Sequence, residues 1–169
     1  MIVRPCIEND SDAICLIYNY YISQTAVTFE ETPVLEEVMS ERIKEYTKNY
    51  PWLVLENTSG NVVGYAYARQ WSQRSAYKNT AEISVYIHHK ESGNGYGSVL
   101  YKDLLSALSI PGLHTVIATI TLPHDASVRL HELHGFRKVS HFKEIGRKFN
   151  RWIDVGHWQA DLGNVDNHS

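Results

Sequence analysis

Cysteine is scarce: the 169 residues hold only Cys6 and Cys15. Two thiols in a chain of this length build no disulfide framework, and a reducing compartment, the cytoplasm, is the simpler setting. Long apolar runs are missing as well. None approaches the roughly 20 residues that span a bilayer, and Met1-Ile2-Val3-Arg4-Pro5 lacks the apolar stretch of a signal segment, so no membrane partner is expected. Basic charge is not in surplus either, with 16 Lys and Arg against 19 Asp and Glu and a net charge of −3. A nucleic-acid binder needs a basic stripe and a high pI; the pI here is near 6.3. No segment repeats, which excludes a solenoid. What remains is ordinary globular composition, 43% hydrophobic and 21% charged. It fits one domain over residues 1–162 with a polar tail over 163–169.

Hydrophobic periodicity supplies the elements. Residues 2–6 read as a strand. Asn9 or Asp10 caps a helix carrying Ala13, Ile14, Ile17 and Tyr18 on one face. Thr32-Pro33 reads as N-cap and first residue of a second helix, with Glu36 and Glu37 suited to its dipole. Residues 50–56 and 62–71 form a hairpin about the turn Asn57–Asn61. Residues 80–88 alternate: Thr80, Glu82, Ser84, Tyr86 and His88 face one way, Ala81, Ile83, Val85 and Ile87 the other. A glycine loop, a leucine-rich helix, a strand over 114–121, a helix over 125–134 closed by Gly135, and strands over 136–149 and 151–162 complete the order. The expected fold class is α/β of the α+β type, a mixed and mostly antiparallel sheet flanked by helices.

The strongest chemical signal is Gly93-Asn94-Gly95-Tyr96-Gly97, set between a strand and a helix. Amides at such a helix start converge, and the helix dipole favours an anion. Three alternating glycines let a phosphate approach without Cβ clashes, so a pyrophosphate-bearing ligand is expected. A P-loop would end in Gly-Lys-Ser/Thr, but Ser98-Val99 follow. A dinucleotide fingerprint would place its third glycine one residue later.

In this setting Gly93-x-Gly95-x-Gly97 resembles the acetyl-coenzyme A motif of the GNAT superfamily. Further segments resemble the phosphinothricin N-acetyltransferase family: Ile17-Tyr18-Asn19, Thr28-Phe29, Gly64-Tyr65-Ala66-Tyr67, Arg74-Ser75-Ala76-Tyr77, Thr80 through Ile87, Ser127-x-x-Leu130-His131-Glu132-x-x-Gly135-Phe136, and Gly146-x-Lys148-Phe149-x-Arg151-Trp152-x-Asp154. The similarity runs over about residues 1–162. It implies the GNAT fold, a twisted sheet splayed at its centre around acetyl-coenzyme A, and acetyl transfer to the amine of a small molecule. By the same resemblance, Val85, Tyr86 and Ile87 meet the acetyl and pantetheine end. Gly93, Asn94, Gly95, Tyr96, Gly97 and Ser98 hold the pyrophosphate. His124 stands where the family carries a pantetheine-binding asparagine, and Ser127 lies close by. Ser92 replaces the usual Arg or Gln before the first glycine, and a hydroxyl brings one hydrogen bond without charge. A homodimer is also implied, to which Phe149, Trp152 and Trp158 are candidate contributors.

Acyl transfer to an amine needs a neutral nucleophile, a donor for the oxyanion, and a proton or hydrogen bond for the departing thiolate. Taken alone, Glu82 is more simply an exposed strand carboxylate or a partner of Arg74. The resemblance of Thr80-x-Glu82-x-Ser84-Val85-Tyr86 makes it the general base, with desolvation expected to raise its pKa. The amide of Val85 or Ile87 is the expected oxyanion donor. His131 stands where many GNAT enzymes carry a tyrosine near the thiol and is the expected acid, titrating near neutrality. No metal is expected, because His131-Glu132-Leu133-His134 is one residue short of zinc-protease spacing. The acceptor is placed by the resemblance near Trp71, Arg74, Tyr77 and Phe29, with Arg74 as a carboxylate fork. Phosphinothricin, methionine sulfone and methionine sulfoximine are the acceptor types implied. Two other readings stand beside this one: a GNAT enzyme acting on a protein or peptide amine, and a non-catalytic acyl-coenzyme A binding module.

Overall fold

In a computed structural model of the chain, which describes residues 1–165, one seven-stranded sheet separates two pairs of helices. The elements in chain order are β1 (Ile2–Pro5), α1 (Ser11–Gln24), α2 (Glu36–Tyr46), β2 (Trp52–Glu56), β3 (Val62–Gln70), β4 (Thr80–Ile87), α3 (Tyr96–Ala107), β5 (Thr115–Leu122), α4 (Asp125–Leu133), β6 (Arg137–Lys148), β7 (Arg151–Asp161) and the single turn α5 (Leu162–Val165). The sheet order is β1-β2-β3-β4-β5-β7-β6, and only the β4–β5 pair is parallel. The mixed, mostly antiparallel sheet is therefore present. The turn α5 begins at the edge of the expected tail; residues 166–169 lie outside the described residues. Among the described residues no helix is long and apolar enough to cross a membrane.

Period-2 alternation gives the sheet two apolar faces. One packs Ala81, Ile83, Val116, Ala118 and Ile120 against Leu100, Leu104 and Leu108 of the α3 region. The other packs Trp52, Val54 and Tyr65 against Ile14, Ile17 and Ile22 of α1 and Met39 and Ile43 of α2. Each buried valine, leucine, isoleucine or methionine among them contributes roughly 1.5–3 kcal/mol on leaving water.

Two helix starts differ from the sequence expectation. Asp10 precedes α1, but its carboxylate accepts from the Ile7 amide at 2.8 Å and binds Arg4, so it holds the turn before the helix. Thr32-Pro33 does not open α2, which starts at Glu36. The Asn19 side chain binds both backbone groups of Val34, donating to its carbonyl at 2.9 Å and accepting from its amide at 2.8 Å. Groups spent on Asn19 are not free for a helical turn.

Candidate active site

The sheet opens at its centre. β4 and β5 pair only through Thr80–Glu82 and Thr115–Ile117. Beyond these, β4 stays on β3 up to Ile87 and β5 stays on β7 up to Leu122. The His88 amide donates to Val63 on β3 at 2.8 Å. Strand alternation turns the amides of Ser84 and Tyr86 the same way, and those of Val85 and Ile87 away from β3, toward the gap. The Ile87 carbonyl accepts from the Tyr21 hydroxyl at 2.6 Å, which ties α1 to the rim of the gap.

The glycine loop lies just past β4. Gly93 and Gly95 have φ of +87° and +78°, with nothing within 4 Å of an added Cβ, so both hold left-handed backbone beside open space. Gly97 differs. Its Cβ would stand 3.3 Å from Leu130 Cδ2, so this glycine admits α4 against α3 and does not clear room for a phosphate. The Asn94 amide is turned back onto Glu91, and Ser98 Oγ sits 2.9 Å from His134 Nε2. Tyr96 packs against the α3-side core. The loop therefore offers backbone, not free side chains, to a ligand, and the start of α3 suits an anion. These groups fit the pyrophosphate of acetyl-coenzyme A.

On the opposite side of the sheet lies a cavity of about 800 Å³. Its floor is aromatic: Tyr46, Trp52, Tyr67, Tyr65 and Tyr86 form a stacked series with centroids 4.4 to 6.2 Å apart. Glu82 lines it, its side chain 12% exposed. Arg74 is not its partner. Oε2 of Glu82 accepts from Arg69 Nε at 2.7 Å and lies 2.5 Å from Nη2, while Thr119 donates to Oε1 at 2.8 Å. Arg69 faces Glu82 across β3–β4. The carboxylate is thus paired with a cation, not isolated among apolar groups. At the other wall Arg42 forks onto Glu30 at 2.7 and 3.2 Å, and Glu30 also accepts from the Tyr18 hydroxyl at 3.0 Å.

Phe29 lines the cavity from the α1–α2 connection. Its ring lies over Gly146 of β6, and buried Lys148 donates to the Thr28 carbonyl at 2.8 Å, fixing that connection to the sheet edge. Trp71 stands edge-on to His157 at 5.4 Å. Arg74 and Tyr77 are exposed on the β3–β4 connection and line neither this cavity nor a second one of about 320 Å³.

The histidines depart from expectation. His131 is 4% exposed, between Tyr101 and Phe136. Burial pushes its pKa down to about 4. Its Nδ1 lies 2.7 Å from the Ser127 carbonyl, an acceptor, so Nδ1 carries the proton and Nε2 carries none. The ring lines neither cavity and has no proton for a thiolate, so the acid titrating near neutrality is not found at this position. His124 accepts the Ser127 amide at 3.1 Å through Nδ1, capping α4. Only its Nε2 remains for a ligand, at the second cavity. Trp158, a candidate for an interface, is buried and bonds Glu132.

Several lining residues escaped the sequence reading: Tyr18, Glu30, Arg42, Arg69, Thr119 and His157. The period-2 rows Tyr65-Tyr67-Arg69 and Glu82-Ser84-Tyr86 were a usable signal, since register places them on one face. Nothing local marked Glu30 or Arg42.

Comparison with known proteins agrees with this geometry. The profile of the acetyltransferase (GNAT) domain family matches residues 3–157. The chain is 40% identical to a phosphinothricin N-acetyltransferase of Streptomyces viridochromogenes over 95% of its length and 87% of the relative's. It is 32% identical to an L-methionine sulfoximine/L-methionine sulfone acetyltransferase of Pseudomonas aeruginosa, covering 95% and 94%. Among solved structures, a phosphinothricin acetyltransferase of Sinorhizobium meliloti in complex with acetyl-coenzyme A superposes with TM-score 0.93 at 32% identity, covering 99% and 91%.

Proposed function

The chain belongs to the GNAT acetyltransferase family and is an acetyl-coenzyme A-dependent N-acetyltransferase, and on that premise we propose that its acceptor is the primary amine of a small amino-acid-like molecule of the phosphinothricin, methionine sulfone or methionine sulfoximine type. One observation carries the reading: a carboxylate, Glu82, lines an aromatic-floored cavity at the place where β4 parts from β5. An ammonium group entering the cavity finds a negative oxygen there, and stacked tyrosines shield it from water.

Acetyl-coenzyme A supplies an acyl carbon activated by its thioester. The amides along Gly93–Ser98 suit its pyrophosphate, and the gap-facing amides of Val85 and Ile87, on either side of Tyr86, suit the pantetheine and the oxyanion. His124 and Ser127, at the start of α4 just after β5, are the candidates to meet the pantetheine arm. Glu82 is the general base at the amine. Three of its roughly four lone-pair positions are taken by Arg69 and Thr119, which leaves one for the acceptor. Phe29 forms part of the acceptor wall, Trp71 stands edge-on to His157 of that wall, and Arg74 with Tyr77 forms an outer rim that meets a carboxylate on entry. Residues 1–162 act as the catalytic domain. We place the enzyme in the cytoplasm, as a homodimer. Two unpaired cysteines suit the former; exposed Phe142, Ile145, Phe149 and Trp152 on the edge hairpin β6–β7 suit the latter.

The test is thiol release from acetyl-coenzyme A with a panel of amines. Release with phosphinothricin, methionine sulfone or methionine sulfoximine, lost in Glu82→Gln, is the expected result. Release only with a peptide pool would move the acceptor to a protein amine. Acetyl-coenzyme A binding without release for any amine would make the chain an acyl-coenzyme A binding module.

A further inference from the structure

The acceptor cavity is also lined by an imidazole with a nitrogen left unbonded, that of His157. It is the register partner of Thr119, the residue whose hydroxyl donates to Glu82. Its ring is steered on three sides. Trp71 and Phe142 stand edge-on, each at 5.4 Å, and Nδ1 lies 2.7 Å from Ser140 Oγ. The backbone amide of His157 donates to the same oxygen at 3.2 Å, so the serine is fixed as well. The nitrogen left over is Nε2. The charged groups facing this ring are Glu82 on β4, with Arg69 on β3 behind it. Beside Ser140 on β6, Lys138 lies over the Trp158 ring and His141 binds Asp154; β5 presents the hydroxyl-bearing Thr119 and Thr121 to the same cavity.

Arg69 and Thr119 occupy three of the roughly four lone-pair positions of Glu82, and a base must return to its starting state before the next turnover, so a proton drawn from the acceptor needs somewhere further to go. We propose that His157 is a second acid–base residue of this site: Glu82, the base at the amine, draws the proton from the acceptor ammonium, and the Nε2 lone pair of His157, with Nδ1–H donated to Ser140, takes that proton on from Glu82. An N–H bond of the ammonium breaks, an N–H bond at Nε2 forms, and the electron pair left on the acceptor nitrogen is the nucleophile. The imidazolium then releases its proton to water at the cavity mouth. Desolvation lowers the pKa of His157, while Glu82 opposes that shift, so the ring is neutral and ready to accept at pH 7. The inference rests on the acetyl-transfer reading above.

The experiment compares wild type, His157→Ala, Glu82→Gln and Ser140→Ala in the thiol-release assay. The expected result for His157→Ala is a loss of roughly 10²-fold or more in kcat, with calorimetric affinity for acetyl-coenzyme A unchanged within about two-fold and partial recovery when imidazole is added. Turnover within about three-fold of wild type overturns the proposal, and so does a loss that imidazole leaves unchanged. If His157→Ala fails to bind acetyl-coenzyme A, Ser140→Ala decides: a shifted acidic limb in its pH profile of kcat/KM supports the proposal, an unshifted limb overturns it. An inactive Glu82→Gln beside a normal His157→Ala would leave the acetyl-transfer reading standing and remove this inference. A wild type that acetylates no amine removes both.

Discussion

Replacing Gly146 by alanine probes how the acceptor wall is built. Gly146 has φ outside the left-handed region, so alanine brings no backbone strain, and the effect is purely steric. The added Cβ would lie 2.2 and 2.3 Å from Cε2 and Cζ of Phe29, where ordinary contact begins at 3.4 Å. The ring must retreat by about 1.2 Å or the edge strand must move. Core overpacking costs about 1–3 kcal/mol; Phe29 is 39% exposed and its ring can turn outward, so the cost here falls near the lower end, and in a domain of this size each kcal/mol moves Tm by about 2–4 °C. Phe29 lines the cavity, so the same displacement should raise KM for the acceptor by several-fold while leaving KM for acetyl-coenzyme A unchanged. A double-mutant cycle isolates the cause. Once Phe29→Ala has removed the ring, Gly146→Ala has nothing to strike, and its effects on Tm and acceptor KM should largely vanish. The measurements are thermal melts and initial rates for the four proteins. Wild-type Tm and acceptor KM in Gly146→Ala, or effects that persist unchanged without Phe29, would refute the claim that β6 positions the acceptor loop through this contact.

Other consequences follow from the site. Glu82→Gln preserves shape and the Thr119 bond but removes charge, so kcat/KM for the acceptor should fall by roughly 10²-fold or more, with acetyl-coenzyme A binding by calorimetry nearly unchanged; wild-type turnover would dismiss Glu82 as the base. Arg74→Ala should raise KM several-fold for acceptors bearing a carboxylate and leave simple amines unaffected, as steady-state rates on matched pairs would tell. His131 is held down to about 4 from an ordinary 6.5, so the unfolded chain binds more protons there between these values. Stability is full above about pH 6.5 and falls by up to about 3 kcal/mol as pH drops to 4. His131→Phe should flatten that part of the pH dependence in denaturant melts; an unchanged slope would place the acid sensitivity elsewhere.

How much of this was readable in advance depends on the distance over which each contact acts. Alternation in Thr80–Ile87 placed Glu82, Ser84 and Tyr86 on one face, because side-chain direction in a strand is a local property. The glycine loop and the helix after it were equally local. Partners were harder. Arg69 meets Glu82 because the β3–β4 connection sets a register of Arg69 on Glu82, and no spacing rule fixes that register when the connection runs from residue 71 to 79. The start of α2 was misplaced for a related reason, since the side chain that holds Val34 extended, Asn19, belongs to another helix. The His131 reading failed on environment: type and position suggested a titrating acid, whereas Tyr101, Phe136 and the Ser127 carbonyl leave it neutral with its one proton occupied. His157 shows the converse. Its place in an apolar-looking terminal strand, between Gly156 and Trp158, suggested nothing, yet pairing with β5 carries it to Thr119 and so to Glu82. Local pattern thus identifies the face on which chemistry occurs, and long-range pairing decides which groups share it. Proton handling here depends on the second kind of information, because the ion pair that fixes Glu82, the Thr119 hydroxyl that donates to it and the register that sets His157 opposite Thr119 all cross between strands.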